Sequence, residues 1–205
     1  MKTVAIVPVK RLSEAKTRLA GILSPEERVQ LAHEMLLHVL ATVIASGVID
    51  TVAVISPEPV ELRLPPGVVP LVQNREGLNS LLEQGREWAG AVGADALLVL
   101  FADLPLLAPE DISRIVELGK SAGSVVLAPD RHGSGTNGML AHPPSLARFA
   151  FGPGSFNAHR SQAQQAGVHI EVYRASGTAF DIDTLDDLES LEAHRVATAM
   201  QYAFS

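Results

Sequence analysis

The chain has 205 residues, 47% hydrophobic and 19% charged, and its 16 Lys+Arg against 23 Asp+Glu give a net charge of -7. That acidity and an aromatic content of 4% argue against a dedicated nucleic-acid binder, which would carry a basic face or stacking rings. With no cysteine, disulfides, thiolate catalysis, iron–sulfur clusters and Cys-ligated zinc are all excluded.

The length suits one domain over residues 1–205, large enough to bury roughly 70% of its unfolded surface. No apolar run reaches the roughly 20 residues of a membrane span. The opening MKTVAIVPVKRL reads as a strand, not a signal peptide. These features predict a soluble, cytoplasmic protein.

In chain order, Thr3–Val9 is a continuous apolar run too short for a helix, as expected of a strand buried on both faces. Ser24-Pro25-Glu26-Glu27 supplies an N-cap, a proline at the first helical position and acids near the positive dipole end. Apolar residues at helical spacing then predict a helix to about Ala45, closed by Gly47. Strands are predicted over Asp50–Ser56, Val68–Val72, Ala94–Ala102 and Ser124–Ala128, with helices over Asn79–Gly90 and from Pro109 to near Gly119. This alternation is the signature of a parallel α/β sheet. Beyond it, Asp130–Gly138 reads as a polar loop, Met139–Ala141 as a short strand, Phe156–Gly167 as a helix and Val168–Tyr173 as a strand. A last helix is predicted from Leu185 to about Met200.

Five segments carry chemistry. The loop after the first strand holds Lys10, Arg11, Lys16 and Arg18 at the carboxyl end of a strand, where α/β sheets bind ligands. Such cations suit a polyphosphate, although the loop has neither the P-loop nor the dinucleotide glycines. Taken alone it reads equally as a solvated surface loop. Asp103 follows the strongest strand directly, where a carboxylate can hold Mg²⁺ against phosphates; a turn or cap aspartate is the ordinary reading. In the extended Phe180–Thr184, Asp181 and Asp183 point the same way and can complete such a site. Alternatively Asp183 or Thr184 caps the last helix, and Asp181 with the metal and its neighbour with the cap is the favoured division. Asp130–Gly138 and Phe151-Gly152-Pro153-Gly154-Ser155-Phe156 are turns whose backbone can approach an anion, with Ser155 as candidate N-cap. Each also fits a plain surface turn. His33 and His38 have no metal spacing and read as surface or packing residues.

Together these pieces resemble one family, the 2-phospho-L-lactate or phosphoenolpyruvate guanylyltransferases of deazaflavin coenzyme F(420) biosynthesis. The likeness lies in Pro8-Val9-Lys10, Ala15-Lys16-Thr17-Arg18-Leu19, Asp103-Leu104-Pro105, Gly135-Thr136, Phe151–Ser155 and Asp181–Thr184, in the family's order. It implies a three-layer α/β/α nucleotidyltransferase fold, GT-A-like and Rossmann-like, with a mostly parallel mixed central sheet. It implies transfer of GMP from GTP to a small phosphorylated acid, with phosphoenolpyruvate ahead of 2-phospho-L-lactate, and release of pyrophosphate. By the same resemblance, Mg²⁺ falls to Asp103 and Asp181 with Asp183 beside them, and Lys16, Asp103 and Asp181 are the catalytic set. The GTP phosphates fall to Lys10, Lys16 and Arg18, the nucleotide segment includes Asn79, and the acid falls to Thr136, Gly152 and Ser155. A downstream transferase would take the unstable product. One departure is Ala102, where glycine commonly precedes the aspartate. Cytidylyl, molybdopterin or sugar-phosphate transferases are the near alternatives, but their L-A-x-G-x-[GS] loop is missing here. A non-catalytic nucleotide-binding module is the more distant one.

Overall fold

A computed structural model of the chain describes residues 1–193. Its strands are β1 (Thr3–Pro8), β2 (Thr51–Ser56), β3 (Val69–Val72), β4 (Ala96–Leu100), β5 (Ser124–Pro129), β6 (Thr136–His142) and β7 (His169–Val172). Its helices are α1 (Pro25–Ala45), α2 (Leu78–Ala91), α3 (Pro109–Leu118), α4 (Ser155–Gln165) and the short α5 (Ser176–Ala179). Residues 185–193 form a sixth helix, α6; the expected continuation to Met200 lies outside the described residues.

The seven strands make one sheet in the order β3-β2-β1-β4-β6-β5-β7. All neighbours are parallel except at β6, which runs antiparallel to both β4 and β5. The sheet is thus mixed and mostly parallel, and the fold class is α/β.

The continuous apolar runs become central strands because both faces are covered. Every residue of β1, β4 and β5 is buried, whereas the edge strands β3 and β7 contain no fully buried residue. Alternate residues of one strand feed two separate cores. Ala5 and Val7 pack with Leu36, Val39 and Leu40 of α1 and Ile112 and Ile115 of α3. Val4 and Ile6 pack with Leu81 and Leu82 of α2 and Phe156 of α4. Two helices therefore cover each face, giving three layers. Helix α1 starts as its sequence dictates: Glu27 N donates to Ser24 Oγ at 3.2 Å and Ser24 N to Glu27 Oε2 at 2.7 Å, a reciprocal capping box.

A smaller third core sets the site. Leu19, Met35, Ile182 and Leu191 pack together, fastening the loop after β1 and the segment before α6 to α1. No helix among the described residues is long and apolar enough to cross a membrane.

The expected loop over Asp130–Gly138 needs correction. Thr136, Asn137 and Gly138 already belong to β6. Their polarity disguises them, because both side chains are buried and hydrogen-bonded instead of solvated. The pairing of β5 with β6 also slips there: Ala128 faces Gly138 and Pro129 faces Thr136, leaving Asn137 as the extra residue of a bulge. Met139 and Ala141 face the α2/α4 core, so simple alternation would send Asn137 the same way. Instead Thr136 faces α4 and Asn137 faces α5 and the segment before α6.

Candidate active site

From β1 the chain steps outward to β2 and β3, then returns to place β4 on the other side of β1. That reversal opens a crevice at the carboxyl ends of β1 and β4. A cavity of about 620 Å³ lies there, lined by Pro8 at the end of β1, Lys10 and Lys16 after it, Gln73 after β3, Leu78 of α2, Phe101–Asp103 after β4, and Asp183. Its size suits a small organic ligand.

Lys16 and Asp103 meet in this crevice. Lys16 Nζ donates to Asp103 Oδ2 at 2.7 Å, to Asp183 Oδ1 at 3.3 Å, and to the Ile182 carbonyl oxygen. Its side chain is 7% exposed. Burial works against the Lys16 charge, yet Asp103 and Asp183 outweigh it and hold the ammonium above its ordinary pKa. Lys16 also has a left-handed backbone, φ 52° and ψ 39°, a costly conformation for a residue with a Cβ. The strain turns the side chain inward while Leu19 seats in the third core. Arg18 reaches Asp183 Oδ2 at 3.4 Å from an exposed position. Lys10 stands exposed at the rim of the cavity.

The Phe180–Thr184 segment keeps the alternation of an extended chain. Ile182 is fully buried in the third core, so its neighbours turn toward the crevice. Asp183 meets Lys16 and Arg18 and does not cap α6. Asp187, in the first turn of α6, reaches back instead and accepts from Asp183 N at 2.8 Å and Thr184 N at 2.7 Å. Burial alone would raise the Asp187 carboxyl, but Arg131 and these two backbone donors hold it at about 2.

Asp181 is the carboxylate under tension. Burial, and then the charge of Asp103, push its carboxyl above the usual range, against a hydrogen bond from Asn137 Nδ2 at 3.3 Å. Two mutually repelling carboxylates are a donor set that a divalent cation relieves. No group of three or more His, Asp or Glu side chains with metal-holding geometry occurs among the described residues. Mg²⁺ ordinarily takes only one or two carboxylates and completes its shell with phosphate oxygens and water. Asp103 and Asp181 fit that pattern.

The three residues matched to the acid lie outside the lining of this cavity but next to it. Phe101 N donates to Asn137 O at 3.1 Å, which places the start of β6 against Asp103. Thr136 Oγ1 lies 3.0 Å from His159 Nδ1, and His159 Nε2 lies 3.0 Å from the Ala150 amide. Ser155 N donates to Gly152 O at 3.1 Å. Gly152 and Gly154 adopt φ of +133° and +73°, which only glycine takes without strain. Ser155 was the expected N-cap of α4; that place belongs to Gly154, and Ser155 is the first helical residue. The ring of Phe101, which lines the crevice, packs on that of Phe151 beside the glycine turn, with centroids 5.2 Å apart.

The side-chain amide of Asn79, in the first turn of α2, is bonded within the protein. Its Nδ2 donates to Phe151 O at 3.1 Å and its Oδ1 accepts from Phe151 N at 2.8 Å. The amide thus acts as a strand partner that holds the glycine turn against α2. His33 and His38 fasten loops to α1 through the carbonyls of Leu62 and Leu107.

Lys10, Lys16, Asp103 and Asp183 line the crevice, with Arg18 paired to Asp183 and Asp181 within the field of Asp103, while Thr136, Gly152 and Ser155 lie outside its lining, at the start of β6 and in the glycine turn that Asn79 holds. Sequence reasoning missed Asn137 and His159. The signal for His159 was its place four residues after Ser155, on the same face of one helix.

Comparison with known proteins fits this arrangement. Residues 3–202 match the family described as "Guanylyl transferase CofC like". The chain is 44% identical over 196 residues to the phosphoenolpyruvate guanylyltransferase of Sphaerobacter thermophilus, covering 95% of this chain and 94% of that protein. It is 42% identical to the enzyme of that name from Rubrobacter xylanophilus, over 94% and 95% of the two chains. The 2-phospho-L-lactate guanylyltransferase of Methanothermobacter thermautotrophicus is 33% identical over 97% of this chain and 87% of its own. Among solved structures, a nucleotidyl transferase from Methanothermobacter superposes with a TM-score of 0.73 at 21% identity, over 96% and 99% of the chains. With nearly the whole chain matched by the family and by a relative 44% identical, the chain belongs to the CofC-like guanylyl transferase family.

Proposed function

We propose that the protein transfers the guanylyl group of GTP to phosphoenolpyruvate, with 2-phospho-L-lactate as the next candidate acid, and releases pyrophosphate. The reading is carried by the Lys16–Asp103 pair at the crevice, with Asp181 in the field of Asp103, in a chain 44% identical to a phosphoenolpyruvate guanylyltransferase. The relatives named for phosphoenolpyruvate are more similar than the one named for 2-phospho-L-lactate, which orders the two acids.

In the reaction a phosphate oxygen of the acid bonds to the α-phosphorus of GTP. The bond from that phosphorus to the oxygen bridging the α- and β-phosphates breaks, and its electron pair leaves with pyrophosphate. The attacking phosphate is already ionised near neutral pH, so no side chain has to remove a proton. Catalysis then falls to alignment and charge neutralisation. Thr136, Gly152 and Ser155 hold the acid beside the crevice. Lys10 and Arg18 attract the β- and γ-phosphates at the rim. Lys16, held charged by its carboxylate neighbours, is placed to neutralise the departing pyrophosphate. Asp103 and Asp181 would hold Mg²⁺, which when bound supplies Lewis-acid charge for the phosphate oxygens. Asp183 orients Lys16 and Arg18. The product is an energy-rich mixed diphosphate, suited to direct hand-off to a downstream transferase.

The test is pyrophosphate release from GTP and Mg²⁺, with each acid supplied separately and a no-acid control. Release that depends on phosphoenolpyruvate is expected. Release with CTP in place of GTP, or none with any phosphorylated acid from folded protein, overturns the reading.

A further inference from the structure

We propose that His159 is a positioning residue for the acceptor acid, fixing the Thr136 hydroxyl as a hydrogen-bond donor and holding the glycine turn beside it. The proposal rests on the functional reading above, in which Thr136, Gly152 and Ser155 meet the acid.

The polarity of this small network follows from one backbone amide. His159 is 2% exposed, and its Nε2 receives the Ala150 N–H at 3.0 Å. A backbone N–H can only donate, so Nε2 is the bare nitrogen of the ring. In a neutral imidazole the proton then sits on Nδ1, which lies 3.0 Å from Thr136 Oγ1. The ring donates, the hydroxyl oxygen accepts, and the hydroxyl's own proton points away from the ring.

Two further observations keep the ring in that state. Burial holds its pKa down at about 4, so it stays neutral at physiological pH. An imidazolium would also set a second N–H against the Ala150 N–H. The Phe151 ring closes on His159 edge-on, with centroids 4.7 Å apart and planes at 69°. The imidazole therefore has little room to rotate or exchange its nitrogens.

A single neutral side chain thus bonds one acid contact and stands close in the chain to the other two. It bonds Thr136 directly, holds Ala150 two residues before Gly152, and stands one helical turn after Ser155. The acid's phosphate and carboxylate offer only acceptors at neutral pH. A hydroxyl whose proton is already turned away from the ring is free to donate to such an acceptor without first breaking its bond to His159, which is preorganisation of the kind that favours binding and alignment.

Three variants of the full-length protein separate the roles. His159→Asn keeps a donor near the Nδ1 position, His159→Gln keeps an acceptor near the Nε2 position, and His159→Phe keeps volume and neither bond. For His159→Phe we expect the KM for the acid to rise about 10- to 100-fold, the range lost with one or two buried hydrogen bonds, while the KM for GTP stays within about twofold. His159→Asn should recover more of the acid KM than His159→Gln. A purely structural role would lower the melting temperature and leave the acid KM unchanged, and that result in folded, active His159→Phe overturns the inference. Nitrogen-15 NMR of His159 in the wild type supplies a readout independent of turnover. The Nδ1-protonated neutral ring is expected at pH 7, and the Nε2-protonated ring or an imidazolium overturns the inference. Failure of the functional reading looks different: wild-type protein releases no pyrophosphate with any phosphorylated acid, whatever His159 does.

Discussion

At the crevice between β1 and β4, Asp103 and Asp183 meet one buried ammonium and one exposed guanidinium, and Asp181 faces their carboxylates without a cation of its own among the described residues. Beside it, Thr136 of β6 and the glycine turn of Gly152 and Ser155 that opens α4 are held by hydrogen bonds among neutral groups. The first region is held together by charges that do not balance, and Asp181 carries the cost. The second is satisfied internally before any ligand arrives. The contrast matches the two tasks. Polyphosphate and metal bring charge that a strained carboxylate cluster can use. A small acid must be aligned within a fraction of an ångström, which rewards a fixed network.

The sharpest way to break this contrast is to remove charge from the crevice without changing its shape. Asp103→Asn should lower pyrophosphate release about 1000-fold or more at saturating Mg²⁺, as expected when a transition-state charge partner is lost. Circular dichroism should stay that of the wild type, and near-full activity would remove Asp103 from the catalytic set.

Asp181→Asn tests the tension itself, because activity and stability should move in opposite directions. A carboxyl whose folded pKa is raised favours folding fully only below its unfolded pKa, and that contribution is lost as pH rises through the folded value. At neutral pH the ionised Asp181 therefore opposes folding, and asparagine imitates the protonated form. We expect turnover to collapse while the melting temperature at pH 7 rises by a few degrees, with the gain shrinking at acid pH. A fall in melting temperature at pH 7 would contradict the strain assigned to Asp181.

Asn137 sits on the boundary between the regions, and its loss should be felt on one side of it. Asn137→Ala removes the donors to Asp181 and to the Thr178 carbonyl. An outer partner of a metal-holding carboxylate is worth about 10- to 100-fold in affinity or activity. The half-saturating Mg²⁺ concentration should rise by that factor, while the KM for the acid changes little. Equal shifts in both would show that the two regions act as one.

The smallest effect is on stability alone. Asp187, held at about 2, contributes stability above the ordinary carboxylate pKa and loses it as pH falls through about 2. Asp187→Asn should therefore cost about 0.5–2 kcal/mol at pH 7, the usual worth of a helix-start side chain. The deficit should vanish in denaturant titrations run in acid near the folded pKa.

The sequence disclosed the sheet better than the pockets on it, for physical reasons. Thr3–Pro8 and Ala96–Leu100 are apolar on both faces, and no other environment suits so short a run. Ser24-Pro25-Glu26-Glu27 carries its own helix start. Thr136-Asn137-Gly138 could not declare itself a strand, since polar residues paid for by buried partners look like loop. The bulge that exchanges the directions of Thr136 and Asn137 has no local sequence mark either. Asn79 was drawn to the nucleotide by resemblance, and its amide is spent on Phe151, 72 residues away. The clustering of Lys16 with Asp103 and Asp183 depends on contacts 87 and 167 residues apart, which pattern alone does not register. What pattern did supply was the residue types at strand ends, and the topology brought those ends together.

The third core has a consequence for recombination. Leu19 and Ile182 pack against each other's neighbourhood in one small apolar cluster, and they belong to the two segments that carry Lys16 and Asp183. A chimera that imports residues 10–19 from another nucleotidyltransferase while retaining residues 180–184 would inherit mismatched halves of a single fastening. The cationic loop and the acidic segment are therefore expected to transfer between scaffolds only as a pair, so a crossover placed anywhere between them should be tolerated only when both parents fill that cluster with the same volumes.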